Sequence, residues 1–359
     1  MRHIGLRADP LPAPARGTIK SWPSVACRLP PCAAWRHEHC TWPSSVPTLF
    51  ILQRRQKKDA DARQTTKPPM SAVSRAVARL SSRHPARRVL ITGATSGSGE
   101  ALAVLFGRHG WRVAVTGRNR ERVALSAKKV RAAGGQVLEI ELEVTRYEDF
   151  ERAARQVAEA WGGLDILVNN AGVASASSIE DGSVDSWHRI IDINTFGVVH
   201  GCKAFTPILR ESGGGHMVNV ASIAAFASLP EMASYNVSKA AVVSLSGTLD
   251  AELAPHHIDV TVACPSFFQS ELAAEGRIMA AENDPMAEML RRGTETTSRS
   301  AEDVVGRIVV DMARRRLYSL PSADVRAQWI AKRTSPELSR RLMAFLFARR
   351  LWKFAAVEG

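Results

Sequence analysis

Short apolar segments alternate with segments of helical period from residue 88 to residue 263, and this alternation constrains the fold more than any other feature. It begins with the apolar run Val89-Leu-Ile-Thr92, followed by a helix predicted over 102–108. Parallel strands require long crossover connections, which helices normally supply. The alternation therefore predicts an α/β protein with a doubly wound parallel sheet.

The same periodicities predict further strands and helices. The strands cover 112–116, 138–144, 164–168, 217–220 and 259–263, and the helices cover 121–133, 149–161, 185–210 and 233–253. In the third strand apolar residues alternate with three glutamates, which is typical of a strand with one solvated face. No internal repeat is visible.

The charge distribution divides the chain into three parts. Residues 1–88 contain 17 Lys and Arg against 4 Asp and Glu, whereas residues 89–359 contain 31 of each. Because the body is neutral, the net charge of +13 does not predict a nucleic-acid partner. We expect a disordered basic extension over 1–86, one domain over 87–313, and a basic helical tail over 314–359.

The cysteines and the hydropathy pattern bear on metals and location. Cys27, Cys32 and Cys40 lie near His37 and His39, but their spacing fits no paired zinc motif. We therefore expect no metal site and no disulfide framework. The chain has no apolar run long enough to cross a bilayer and no secretory leader at its start. These features predict a cytoplasmic protein.

A glycine-rich turn, Thr92-Gly-Ala-Thr-Ser-Gly-Ser-Gly99, joins the first strand to the first helix. Glycines let the backbone approach a pyrophosphate, and the amides at the helix N-terminus face the anion. A flexible glycine loop is the alternative, but the position after the first strand favours a dinucleotide site. The residues predicted to contact the cofactor here are Gly93, Thr95, Ser96, Gly97, Ser98 and Gly99.

The end of the second strand indicates which dinucleotide binds. Gly117 stands where an NAD site usually carries an acid for the ribose hydroxyls, and Arg118 follows it. A guanidinium suits a 2′-phosphate, so these residues predict NADP, as NADPH, ahead of NAD. A solvated arginine at a helix start is the alternative.

Tyr235 and Lys239 stand four residues apart in a predicted helix, so they share one face. An ammonium beside a phenol favours the phenolate and lowers a pKa that starts near ~10. The phenol then becomes usable as a general acid or base near neutral pH. The same spacing also occurs by chance on solvated or buried helix faces. The pair therefore indicates a catalytic site only together with other motifs of the chain.

Those neighbours resemble the motifs of the classical short-chain dehydrogenase/reductase family. After the glycine turn, residues 169–172 read Asn-Asn-Ala-Gly, Asn194 stands in Asp-Ile-Asn-Thr, and Ser222 ends Asn-Val-Ala-Ser. Tyr235 and Lys239 follow Ser222 by 13 and 17 residues. The resemblance covers roughly residues 87–310 and implies a Rossmann-type domain that binds a nicotinamide dinucleotide.

The resemblance also implies a reaction and a role for each residue. Hydride passes between the nicotinamide and a carbonyl or secondary-alcohol carbon, and Tyr235 transfers the proton. Lys239 binds the nicotinamide ribose and keeps Tyr235 acidic, while Ser222 stabilises the substrate oxygen. Asn194 is expected to hold a water that connects Lys239 to solvent. The family further suggests a homodimer or homotetramer.

The chain departs from the family pattern at three places. Glu143-Val144 replaces Asp-Val after the third strand, Pro265-Ser266 replaces Pro-Gly after the sixth, and Ser270 replaces Thr. Glu143 can still accept a hydrogen bond from the adenine amino group, and Ser266 can still offer its amide. The further cofactor residues that the resemblance implies are Asn170, Ala171 and Gly172.

Residues 266–300 are predicted to form a lid over the substrate. Its apolar residues favour a lipophilic carbonyl or alcohol, although they could equally pack the lid itself. They are Phe267, Phe268, Leu272, Ile278, Met279, Met286, Met289 and Leu290. Arg277, Arg291 and Arg292 are candidates to bind a substrate carboxylate.

The tail leaves two interpretations open. Residues 314–353 contain 11 Lys and Arg against 2 Asp and Glu, and a basic amphipathic helix can lie on an anionic membrane. Arg349 falls on the same face as Leu338 and Leu342, which favours an ordinary packed helix or a contact between protomers. For the whole chain, the alternative to an enzyme is a catalytically idle dinucleotide-binding sensor or scaffold.

Overall fold

The computed structural model describes residues 70–271, 278–280 and 284–349. Its strands are β1 (Arg88–Ile91), β2 (Arg112–Gly117), β3 (Gln136–Glu141), β4 (Ile166–Asn169), β5 (Ala174–Ala176), β6 (Gly215–Val220), β7 (Ile258–Ala263), β8 (Ile278–Ala280) and β9 (Tyr318–Ser319). Seven of them form one sheet in the order β3-β2-β1-β4-β6-β7-β9, with every neighbouring pair parallel. Strands β5 and β8 form a separate parallel pair.

Helices cover both faces of the main sheet. They are α1 (Met70–Arg83), α2 (Gly97–Arg108), α3 (Arg120–Ala132), α4 (Tyr147–Trp161), α5 (Val184–Ile191), α6 (Gly197–Glu211), α7 (Ala224–Ala227), α8 (Ala233–Leu253), α9 (Pro285–Thr296), α10 (Ala301–Ala313), α11 (Ala323–Thr334) and α12 (Pro336–Ala348). A π-helical turn, Asp192–Phe196, joins α5 to α6, so the helix predicted over 185–210 is continuous but widened in its middle.

The two faces have separate apolar cores, because successive strand residues point to opposite sides. Val89 and Ile91 of β1 pack with α1, α2, α3 and α10, whereas Leu90 packs with α4, α6 and α8. Local signals set the helix starts: the Asn119 side chain accepts from the Arg122 amide at 2.9 Å, and Ser300 and Asp303 form a capping box. The doubly wound parallel sheet predicted from the sequence is confirmed.

The predicted disordered extension over 1–86 is wrong for Met70–Arg83, which forms α1. Val73, Val77 and Leu80 of this helix are buried against α10 and the sheet. Apolar residues at helical spacing therefore add a layer to the core. The N-terminal cysteines and histidines, and the rest of that extension, lie outside the described residues.

The tail predicted over 314–359 is not helical throughout, because Tyr318–Ser319 pairs with β7 as the seventh strand of the sheet. Val262 donates its amide to Leu317 O at 2.7 Å, and Cys264 donates to Ser319 O at 2.9 Å. The domain boundaries remain a prediction, but the sheet continues past residue 313. Among the described helices, none combines the length and the apolar character needed to span a bilayer.

Candidate active site

An elongated pocket lies at the carboxyl ends of the central strands. The order of the sheet reverses between β1 and β4, and ligands of such sheets bind in the crevice at this point. The turns that follow β1, β2, β4, β6 and β7 all contribute to its walls. Of the predicted site residues, those lining it are Gly93, Thr95, Ser96, Ser98, Arg118, Glu143, Val144, Asn170, Ala171, Gly172, Ser222, Tyr235, Lys239, Pro265 and Ser266.

Gly97, Gly99 and Asn194 do not line the pocket, and the glycines shape the turn instead. Gly93 and Gly97 have φ of +61° and +54°, which side chains rarely adopt. A Cβ at Gly99 would lie 2.3 Å from Gly93 O, so α2 can approach the turn after β1 this closely only with glycine there. The turn keeps the backbone bare where a pyrophosphate would approach.

Thr92 and Asn170 hold this turn from beneath. The Thr92 hydroxyl oxygen accepts from the amides of Asn170 and Ala171 at 2.9 and 3.1 Å. The Asn170 side chain donates to Thr92 O at 3.0 Å and accepts from the Ser98 hydroxyl at 2.7 Å. Asn170 was predicted to contact the cofactor, yet its side-chain amide is used within the protein. The side chain therefore fixes the turn.

The far end of the pocket is formed by Gly117, Arg118 and Glu143. A Cβ on Gly117 would lie 2.8 Å from Cγ2 of Thr95, so no acidic side chain fits at this position without displacing Thr95. Arg118 is exposed at the rim. The backbone amide of Glu143 donates to Asp149 at 2.9 Å, which fixes the strand end that carries Glu143.

Tyr235, Ser222 and Lys239 meet at the near end of the pocket. Helix α8 carries Tyr235 and Lys239 on one face, and the turn after β6 carries Ser222. The Ser222 hydroxyl and the Tyr235 phenol both line this part of the pocket, and the Ser222 hydroxyl lowers the pKa of the phenol. The Lys239 ammonium donates to Val220 O at 3.0 Å and lies 5.8 Å from the centre of the Tyr235 ring. All three side chains are buried.

Burial dominates the electrostatics of this cluster. Burial raises the pKa of Tyr235 above its ordinary value, and the Ser222 hydroxyl offsets this only in part. Burial also lowers the pKa of Lys239 to about 8. The raised pKa contradicts the sequence argument, in which the ammonium lowers the phenol pKa. Lys239 points to a backbone carbonyl, and desolvation outweighs its charge.

Asn194 lies in the π-helical turn and is completely buried. Its side chain accepts from the Val173 amide and donates to Val173 O, both at 2.9 Å, and donates to Ser238 at 3.1 Å. These bonds clamp the segment after β4 to α8. A Cβ on Gly172 would lie 3.1 Å from Asn194 Oδ1 and 3.3 Å from Lys239 Nζ, so glycine leaves room for the buried ammonium.

The wall beside Tyr235 is apolar. Of the predicted lid residues, Phe267, Phe268, Ile278 and Leu290 line the pocket. Met286 and Met289 pack behind them, and Met279 packs against the core under α8. Arg291 and Arg292 pair with Glu288 on the surface of α9 and do not line the pocket. Leu272 and Arg277 lie outside the described residues.

Sequence reasoning missed part of this wall. Leu229 and Met232, in the segment between α7 and α8, also line the pocket, as do Ile193 and Thr294. Met232 stands three residues before Tyr235, which was the one available signal. No group of three or more His, Cys, Asp or Glu within the described ranges is arranged to hold a metal ion.

Comparison with known proteins identifies the family. The sequence profile described as short chain dehydrogenase matches residues 87–280, which include every catalytic motif. The chain belongs to the short-chain dehydrogenase/reductase family. It is an NAD(P)-dependent oxidoreductase, and the family resemblance seen in its motifs is confirmed. It is 34% identical over 185 residues to an uncharacterized oxidoreductase of Staphylococcus aureus, covering 52% of this chain and 79% of that protein.

Two solved structures extend the comparison beyond sequence. A short-chain dehydrogenase/reductase of Burkholderia phymatum in complex with NAD is 29% identical, with a TM-score of 0.66 over 70% of this chain and 94% of that one. A short-chain dehydrogenase of Sphingobium yanoikuyae in complex with NADPH is 29% identical, with a TM-score of 0.59 over 71% and 94%. Similar folds therefore bind either dinucleotide.

Proposed function

We propose that this enzyme is an NADPH-dependent reductase that interconverts a carbonyl and a secondary alcohol on a lipophilic substrate. The observation that carries the proposal is the Tyr235–Ser222–Lys239 cluster, buried between a bare phosphate-binding turn and an apolar wall. A proton donor and a hydrogen-bond donor then face one small volume, which suits reduction of a carbonyl.

The cradle fits a dinucleotide because glycines at 93, 99 and 172 leave the space that side chains would fill. Bound NADPH would supply the hydride. Ser222 would donate a hydrogen bond to the substrate oxygen, and Tyr235 would give that oxygen its proton. Lys239 would bind the ribose hydroxyls and, once a bound ligand turns it toward the phenol, favour the phenolate that remains.

The preference for NADPH rests on two features of the far end of the pocket. Gly117 leaves no room for an acid because Thr95 occupies the space, and an acid is what an NAD site uses there. Arg118 stands at the rim with its guanidinium in reach of solvent, where a 2′-phosphate would gain a charge-assisted hydrogen bond.

Parallel assays with NADPH and NADH, on aldehydes and ketones of increasing apolar length, test the proposal. We expect Arg118→Ser to lower the NADPH/NADH ratio of kcat/KM at least about tenfold, since one charged hydrogen bond is lost. Arg120→Ser is the matched control, because Arg120 is an exposed neighbour paired with Glu141. A wild-type preference for NADH would refute the NADP assignment. Cofactor binding without turnover on any carbonyl would favour an idle sensor or scaffold.

Lipophilicity of the substrate is supported by the wall of Leu229, Met232, Phe267, Ile278 and Leu290 beside Tyr235. Arg291 and Arg292 are paired elsewhere, which weakens the case for a substrate carboxylate. We expect kcat/KM to rise with apolar chain length, by up to about fourfold per buried methylene. Equal kcat/KM for short and long ketones would contradict this assignment.

We further propose that the protein is cytoplasmic, is a homodimer or homotetramer, and contacts membranes through α12. Leu338, Leu342 and Phe345 form an exposed stripe on this helix, 65%, 54% and 53% accessible. A two-fold contact between copies would place the basic tails of two chains together, whereas anionic lipid would neutralise them. The two acids of residues 314–353 are already paired, Asp324 with Arg299 and Glu337 with arginines of α12.

Co-sedimentation with vesicles containing phosphatidylserine tests the membrane contact. The full chain is compared with a variant in which Leu338, Leu342 and Phe345 are serine, and light scattering reports the oligomer. We expect the variant to lose most of its vesicle binding while keeping wild-type mass and activity. Equal partitioning of both proteins would refute the membrane contact, and a fall in mass would assign the stripe to a protomer interface.

A further inference from the structure

Helix α12 contacts the apolar end of the pocket, although it lies beyond residues 87–280, which the family profile matches. The preceding helix α11 packs on α7, and α12 packs on α11. Val325 of α11 is completely buried in the core, and the Trp329 ring lies 5.7 Å from the Tyr318 ring of β9. The tail is therefore anchored on the sheet beside α7, the helix that follows Ser222.

One face of α12 is turned toward the protein. Ser339, Met343 and Leu346 stand at helical spacing on this face, and all three are half-buried. The stripe of α12 that is proposed to contact membranes lies on the neighbouring face and stays exposed. Leu346 packs against an apolar cluster that contains Tyr235. The tail thus reaches the part of the protein where the substrate would be reduced.

The cluster that Leu346 joins has two layers. The inner layer lines the pocket beside Tyr235 and includes Leu229, Met232, Phe267, Ile278 and Leu290. The outer layer lies behind it and includes Met286, Met289 and Leu346. Methionine side chains are unbranched and flexible, so a wall that contains several of them depends on its neighbours for a fixed shape. Leu346 is the contribution of the tail to this support.

Two further contacts hold the wall, and both join distant segments of the chain. Strand β8 pairs with β5 in parallel register, which places Ile278 opposite Ala174. Phe267 packs against α9 at Gly293, where a Cβ would lie 3.0 Å from the ring. The wall is thus assembled from the turn after β7, the lid and the tail, and its shape depends on how closely they pack.

We propose that Leu346 is a positioning residue for the substrate: it supports the apolar wall from outside, and through it the tail selects for long apolar carbonyl compounds. The inference rests on the proposed function of the pocket. A short substrate needs only the space beside Tyr235 and Ser222, whereas a long one must lie along the wall. Leu346 does not line the pocket, so its effect falls on the binding of long substrates rather than on proton transfer or on NADPH.

Turnover of the full chain with NADPH and methyl ketones, from butanone to a long-chain ketone, tests this inference in the absence of lipid. We expect Leu346→Ala to raise KM for the long-chain ketone about fivefold, since the loosened wall makes fewer contacts with it. The kcat for both ketones, the KM for butanone and the Kd for NADPH should each change by less than about twofold. Leu346→Met, which conserves the volume, should keep the KM for the long-chain ketone within about twofold of the wild-type value.

Ile330→Ala is the matched control, because it removes as many carbon atoms from an exposed side chain of α11, 52% accessible. It should leave every one of these constants at its wild-type value, and thermal unfolding of each variant is recorded to confirm folding. An unchanged KM for the long-chain ketone in Leu346→Ala, or an equal loss of kcat/KM for both ketones, would overturn the inference alone. A wild-type protein that reduces no ketone would instead refute the proposed function.

Discussion

The amino and carboxyl ends of the sheet both bury charged side chains, but they do so with different partners. At the amino ends of β1 and β4, Arg88 and Asp165 form a bidentate ion pair, with side chains 10% and 7% accessible. Asp165 also accepts from the Arg88 backbone amide at 2.7 Å. At the carboxyl ends, Lys239 is equally buried, and within the described residues it has only a backbone carbonyl as acceptor.

The difference separates a stabilising charge pair from a binding site. Removing one member of a buried pair leaves an uncompensated charge, so such a pair is costly to disturb. A buried ammonium without an acid is itself costly, and its environment lowers its pKa to about 8. It lines an open pocket, whereas Arg88 and Asp165 do not. The carboxyl end thus tolerates an unfavourable group that a ligand can satisfy, which is typical of functional sites.

The largest effect is expected from Tyr235→Phe at the carboxyl end. Loss of the proton donor should lower kcat by about 10³-fold, while Kd for NADPH changes by less than about twofold. Steady-state turnover and fluorescence titration measure the two quantities. Tyr318→Phe is the control, since Tyr318 packs on Trp329 outside the pocket. Turnover within tenfold of the wild type would remove Tyr235 from the chemistry.

Asp165→Asn probes the amino end, where stability rather than activity should change. Arg88 would keep its burial but lose its acid, and we expect the free energy of unfolding to fall by about 3–5 kcal/mol. Urea denaturation measures this, and kcat of the folded protein should stay at the wild-type value. Glu139→Gln, which breaks an exposed pair with Arg131, should cost less than about 1 kcal/mol. A loss in Asp165→Asn no larger than in this control would show that the buried pair is dispensable.

Lys239→Met tests whether the carboxyl end stores an unfavourable charge in the protein without cofactor. The folded pKa of about 8 lies below the ordinary 10.5, so the unfolded chain binds more protons between these values. Stability of the wild type should therefore rise from pH 8 to pH 10.5, and this rise should be absent in the variant. Allowing for the lost bond to Val220 O, the variant should be about 2 kcal/mol more stable at pH 7.

Denaturation of both proteins at pH 7 and pH 10 measures the difference. The gap in unfolding free energy should shrink as the pH rises, because deprotonation relieves the wild-type protein. A variant that is less stable at pH 7, or a gap that does not depend on pH, would show that Lys239 is not destabilising in the folded state.

The sequence predicted the parts of the fold that repeat with a clear period. Strands β1, β2, β3, β4, β6 and β7 follow from apolar runs, and α8 was predicted at its observed bounds. Strand β5 was not predicted. Strand β9 was missed because it has two residues, Tyr318 and Ser319, inside a basic segment. Helix α1 was not predicted because its apolar residues are buried only by packing against α10, which is distant in the sequence.

The motifs predicted which residues of the candidate site meet. They did not predict the pKa values of these residues, which depend on burial. Motif spacing predicted that Ser222, Tyr235 and Lys239 would meet, and the structure brings them together. The raised pKa of Tyr235 depends on desolvation, which no spacing reveals.

The smallest effect is expected from Thr92→Val. This substitution tests whether hydrogen-bonded polar groups at the carboxyl end contribute to stability and to NADPH binding. Thr92 is buried, and its hydroxyl oxygen serves the amides of Asn170 and Ala171. Valine keeps the volume but leaves both amides without an acceptor, so unfolding free energy should fall by about 1–2 kcal/mol. The glycine turn should loosen with it and raise Kd for NADPH about threefold.

Thr116→Val is the matched comparison for this prediction, because its buried hydroxyl donates only to Ile91 O at 3.0 Å and accepts from no amide of the turn. It should cost less than about 1 kcal/mol and leave the Kd for NADPH unchanged. Urea denaturation and fluorescence titration of both variants decide the matter. If the two threonines behave alike, the polar groups beneath the turn contribute only to stability. If only Thr92→Val weakens NADPH binding, the carboxyl end contains two kinds of polar group. The hydrogen-bonded groups around Thr92 hold the glycine turn, and the Lys239 ammonium, which has no acidic partner, is left to bind the ligand.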